Sequence, residues 1–147
     1  MALRPGAFAV VGVCLMVGGL LAGCTDEASD PFSLKVGDCL SAAAREGVVE
    51  RGETPTVACS EPHVVEVYDA IRLQDGPFPG TEALVLKAAD CEKTFEAFVG
   101  KPYGESDLQL RYFHPTQESW EHGDREILCA VAVPTGTVTN TLKGSAR

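Results

Sequence analysis

The chain has 147 residues, 12 basic against 21 acidic, and a formal net charge of −9 at pH 7. That balance argues against a nucleic-acid partner and against electrostatic adhesion to anionic lipid. The length suits one domain with a modest core.

The N-terminus reads as an address. After Arg4 the run from Ala7 to Gly23 carries no charge, which describes a secretory signal peptide. A membrane-spanning helix is the competing reading, but 17 residues with several glycines is the lower limit for crossing roughly 30 Å of hydrocarbon. The ending decides between them. Leu21-Ala22-Gly23-Cys24 resembles a bacterial lipobox, in which the cysteine becomes the mature N-terminus and carries diacylglycerol. Residues 1–23 are therefore expected to be a lipoprotein signal peptide and Cys24 the lipidated residue, since two or three acyl chains anchor stably where one is marginal. Residues 24–35 form an acidic tether, TDEASDPFS within it, that can stand the domain roughly 30 Å off the surface. Without Arg4, 11 basic residues face 21 acidic ones, a net charge of −10.

The domain proper is 36–147. VGDCLSA (36–42) and TPTVACS (54–60) read as strands, separated by a turn-rich stretch. HVVEVYDAIRL (63–73) is a third, with Val65, Val67, Ile71 and Leu73 on one face and Asp69 out of place among them. DGPFPGT is a loop. Thr81–Val99 is the clearest helix, with Thr81 as N-cap, Gly100-Lys101-Pro102 as stop, and Leu84, Ala88, Cys91, Phe95 and Phe98 in one apolar stripe. DLQLRYFHP (107–115) is a fourth strand, Leu108, Leu110 and Tyr112 sharing a face. PTQESWEHGD turns the chain through one helical turn closed by Gly123. REILCAVAVP is the last core strand, and residues 135–147 are a polar tail, an edge strand or loose.

Four cysteines remain after processing, an even number in an oxidising compartment. Cys91 sits mid-stripe on the helix, and Cys129 shares a strand face with Ile127, Val131 and Val133, so a Cys91–Cys129 staple through the core is expected. Cys39–Cys59 is then the second pair. With no βαβ alternation, the predicted fold is α+β: a small, mainly antiparallel sheet packed on one long helix, held by two disulfides.

VGDCL (36–40), CSEPHVVEVY (59–68), PTQESWEHGDREILC (115–129) and TLKGSAR (141–147) together resemble the septum-formation family of Gram-positive, mainly actinobacterial, envelope proteins. The helix with its central cysteine and FVGKPY (98–103) fit the same pattern. The resemblance implies a secreted, lipid-anchored or membrane-tethered protein with a role in making the division septum, and leaves its molecular activity undefined. Asp69 and Ala70 stand where apolar residues are expected, and Ala146 replaces a glycine of the terminal motif.

Candidate sites are few. Ser60-Glu61-Pro62-His63 beside Cys59 has the residue types of a nucleophilic or proton-transfer site. A disulfide removes the thiolate, however, and the structural reading makes Pro62 a strand end with His63 bonded locally. Trp120, in Ser119–Arg125, is read as a core plug in preference to a surface anchor. If the domain carries a binding surface, His63, Trp120, His122 and Arg125 are its candidates. No metal centre is expected, because His63, His114 and His122 lack any HExxH, CxxC or HxH spacing. No nucleophile elbow or CxxC supports catalysis.

The function expected is a non-catalytic, lipid-anchored envelope module without a cofactor, at the extracytoplasmic face of the cell membrane. Its partners are the membrane through Cys24 and envelope or division proteins. The rival is a cell-wall-acting enzyme, which requires His63, His122, Arg125 and carboxylates in one cleft. A small-ligand-binding lipoprotein would require a sizeable apolar pocket.

Overall fold

The structure is a computed structural model that describes residues 34–46 and 56–147. The expected signal peptide, Cys24, nearly all of the expected tether and part of the turn between the first two strands lie outside the described residues.

Five strands form one antiparallel sheet: β1 (Cys39–Leu40), β2 (Thr56–Val57), β3 (Val65–Arg72), β4 (Gln109–Phe113) and β5 (Glu126–Ala132), in the order β2-β1-β3-β5-β4. The first two are shorter than their hydrophobic patterns suggest. Buried on both faces, β5 is the centre of the core.

Asp69 is explained by a bulge. Val67 opposes Ala130 but Asp69 opposes Cys129, so β3 carries one extra residue there. Because side chains alternate, an inserted residue reverses every later assignment. Val65 and Val67 therefore share the face of Ala130 and Ala132, whereas Ile71 lies with Ile127 on the other face. The expected single face from Val65 to Leu73 is thus corrected. Asp69 points toward the helices, where Thr94 Oγ1 donates to it at 2.6 Å.

One face of the sheet carries the helical segment. It spans Thr81 to Val99 as predicted, but as α1 (Thr81–Ala88), a 3-10 turn (Ala89–Cys91) and α2 (Glu92–Val99). Thr81 is the first helical residue, preceded by Gly80, and supplies no side-chain cap. Leu84, Ala88, Cys91, Phe95 and Val99 are buried. Phe98 lies at the stripe's margin, 5.2 Å from the Tyr68 ring. Two disulfides fix this arrangement: Cys91–Cys129 joins the helical segment to β5, and Cys39–Cys59 joins β1 to the turn after β2, with Cα–Cα separations of 5.4 and 5.3 Å. The fold is α+β.

The C-terminal tail is neither an edge strand nor loose. His63 and Val138 exchange backbone hydrogen bonds of 2.9 and 3.0 Å. Glu66 then accepts from Thr141 Oγ1 at 2.5 Å and from Leu142 N at 2.6 Å. Gly144 N donates to Phe98 O, Ala146 N to Val99 O, and Ser106 Oγ to Arg147 O. The tail is a strap running from the β1–β3 end of the sheet to the end of α2. Gly100, left-handed at φ 86°, closes α2 where the strap passes, and a Cβ there would lie 3.7 Å from Gly144 Cα.

Candidate functional site

The four surface candidates separate into two places. Val64 O accepts from Val133 N, and Arg125 O accepts from Leu73 N. His63 therefore sits beside the far end of β5, while Arg125 precedes its start. Among the described residues, no single cleft holds His63 together with His122 and Arg125.

The loop site is built on α3 (Gln117–Glu121). Thr116 caps it reciprocally with Ser119: Ser119 N donates to Thr116 Oγ1 and Thr116 N to Ser119 Oγ. The capping box fixes Trp120, which is 5 % exposed. Its Nε1 donates to Gly76 O at 2.9 Å, and its ring packs edge-on against Phe78. Trp120 is a core plug. Arg125 covers its outer side, the guanidinium carbon 3.9 Å from the ring centroid. Arg125 Nη1 donates to Trp120 O at 2.6 Å and Asp124 O at 2.8 Å. Its Nε lies 3.2 Å from Asp75 Oδ1, an ion pair outside hydrogen-bond geometry. The Asp124 carboxylate accepts from Ser119 Oγ and Glu126 N, and only its backbone carbonyl meets the neighbouring guanidinium. Arg72, Ser119, His122, Gly123, Asp124, Arg125 and Glu126 line an open groove of about 360 Å³. His122 is exposed, with Nδ1 donating to Glu118 O.

The CSEPH turn is a different environment. His63 is 0 % exposed. Its Nδ1 lies 2.8 Å from Glu61 O; a carbonyl only accepts, so Nδ1 carries the proton. Nε2 is buried without a hydrogen-bond partner. Donor atoms of Cys39, His63 and Glu66 all lie within 4.8 Å of one another. The sequence does not single out this trio, because Cys39 reads as half of a disulfide and Glu66 is one of 21 acidic residues. The useful signal was that His63 and Glu66 flank the start of one strand whose cross-strand neighbour is Cys39.

A second groove, of about 490 Å³, lies on the sheet face away from the helices, lined among others by Val65, Gln109, Arg111, Phe113 and Ala132. Its trace in the sequence is the small-residue alternation Ala130, Ala132 opposite the Cys129 face.

Among titratable groups, burial pushes the Tyr68 hydroxyl well above its ordinary range; it donates to the Cys91 carbonyl. Lys87 and Lys93 hold Asp90 down to about 2. The Arg147 guanidinium lowers Asp107.

The fold and its two cross-links define a small disulfide-stapled α+β module. The family model described as septum formation matches residues 36–147, and the chain belongs to that family. Its membership links the protein to cell division. No curated protein and no solved structure matches the chain.

Proposed function

We propose that this is a non-catalytic, lipid-anchored interaction module of the cell envelope, acting in septum formation from the extracytoplasmic face. The observation that carries the reading is the Trp120–Arg125 stack. It places a rigid, mixed-charge groove, with Arg72, His122, Asp124 and Glu126 at its rim, on a scaffold held by two disulfides. A groove of alternating charge suits a polar polypeptide better than an apolar small molecule. The acidic tether and the lipid on Cys24 would hold this groove at a fixed reach from the membrane.

The test uses the full chain in cells, with a photo-reactive residue at His122 and, as control, at Lys87 on the exposed side of α1. The His122 probe should trap an envelope or division protein and the Lys87 probe should not, while Cys24→Ala should release the chain from the membrane. Turnover of cell-wall fragments by the purified chain, or equal trapping from both positions, would overturn the reading.

A further inference from the structure

We propose that the Cys39–Cys59 disulfide masks a metal site, and that its reduction exposes a Cys39–His63–Glu66 centre for a divalent, borderline-soft cation, zinc being the best match.

Three observations point to a ligand. First, the three donor atoms already lie within 4.8 Å of one another. Zinc bonded tetrahedrally at about 2.0–2.3 Å would set such donors about 3.3–3.8 Å apart. The gap is about 1 Å, within reach of a side-chain rotation at Cys39 once its sulfur is free. Second, His63 Nε2 is fully buried and unpartnered. A polar atom removed from water without a partner is costly, and nothing in the oxidised structure repays that cost. Third, the supporting contacts of a metal centre are present. Ligating histidines characteristically donate their other ring N–H to a carbonyl, and ligating carboxylates are themselves hydrogen-bonded. His63 Nδ1–H donates to Glu61 O, and Glu66 accepts from Thr141 Oγ1 and Leu142 N.

Charge supports the choice of a dication. Cys39 thiolate and Glu66 carboxylate carry two negative charges between them and His63 none, so a dication makes the buried cluster neutral. The donor set of sulfur, imidazole and carboxylate is one zinc accepts.

Unmasking is thiol–disulfide exchange with an external dithiol. A thiolate of the dithiol attacks Cys59 Sγ, the partly exposed end of the bond. The Cys39–Cys59 bond breaks and Cys39 leaves as thiolate. The second thiol then attacks the mixed disulfide and releases Cys59, and the dithiol departs oxidised as its own disulfide. The cation binds the Cys39 thiolate, His63 Nε2 and Glu66.

The experiment uses the whole chain in detergent with Cys59→Ser, which frees Cys39 and leaves Cys91–Cys129 intact. Cobalt(II) is the probe, because a thiolate ligand gives it a characteristic charge-transfer absorption. One cobalt per chain should bind with that absorption, displaced by zinc. Adding His63→Ala or Glu66→Gln should weaken binding at least about tenfold, and the oxidised wild type should bind far more weakly. Should Cys59→Ser fail to fold, the wild-type chain is reduced with a phosphine and alkylated with and without zinc. Zinc should then protect Cys39 and not Cys59. Binding unaffected by His63→Ala, or equal alkylation of both cysteines in zinc, would overturn the proposal.

Discussion

The Arg125 guanidinium sits over the Trp120 ring and donates to that residue's own carbonyl, so one side chain closes both the ring and the backbone of α3. With its side chain 14 % exposed, this contact is mostly shielded from water. Arg125→Ala should cost about 2–3 kcal/mol, the scale of a charge-assisted hydrogen bond plus a shielded cation–π contact. Arg125→Lys should recover less than half of it, because an ammonium cannot stack and reach two carbonyls together. Urea denaturation of the three proteins decides.

Glu66 holds the strap, and it is 5 % exposed. Glu66→Ala orphans the Leu142 amide and should cost about 2–4 kcal/mol. Limited proteolysis with trypsin should then cut after Lys143 well before the rest of the domain, whereas the wild-type chain resists there.

Ala146 stands at φ 52°, in the left-handed region that favours glycine. An L side chain there carries about 1 kcal/mol of strain that glycine lacks. Ala146→Gly should therefore stabilise the domain by about 1 kcal/mol, a rare case of glycine improving a fold. Unchanged or lower thermal stability would refute it.

The strap's far end is acid-sensitive. Arg147 Nη2 lies 2.9 Å from Asp107 Oδ2 and lowers that carboxyl in the folded state. A depressed folded value means stabilisation present above the ordinary aspartate range, near pH 4, and lost as pH falls through the lowered value. Amide exchange at Ala146 should thus accelerate on acidification below about pH 4. In Asp107→Asn that acid step should be missing.

The disulfides differ in reach. Cys91–Cys129 closes 38 residues and Cys39–Cys59 closes 20. By loop entropy the first contributes about 4 kcal/mol and the second about 3 kcal/mol. Paired alanine substitutions, compared by denaturant midpoint, should rank them in that order.

Much of this was legible in the residues. The stripe on α1–α2 and the alternation in β5 placed Cys91 and Cys129 facing each other, because burial imposes periodicity on both element types. The bulge was not legible, since Asp69 in a strand signals an irregularity without saying which kind. The strap was hidden for a different reason. Its partners in Glu66 and α2 are tertiary, and a polar tail shows no periodicity when its hydrogen bonds go to distant backbone. For the candidate surface, composition singled out Trp120 and Arg125, but only the fold separates His63 from them.

The strap also ties together groups that lie far apart along the chain. Glu66 waits for groups 75 and 76 positions downstream, and the end of α2 waits for Gly144 and Ala146. Without those groups the sheet and helix share an open seam. Thr141, Leu142, Gly144 and Ala146 close that seam together, so a chain cut back to Asn140 loses all of these clasps at once.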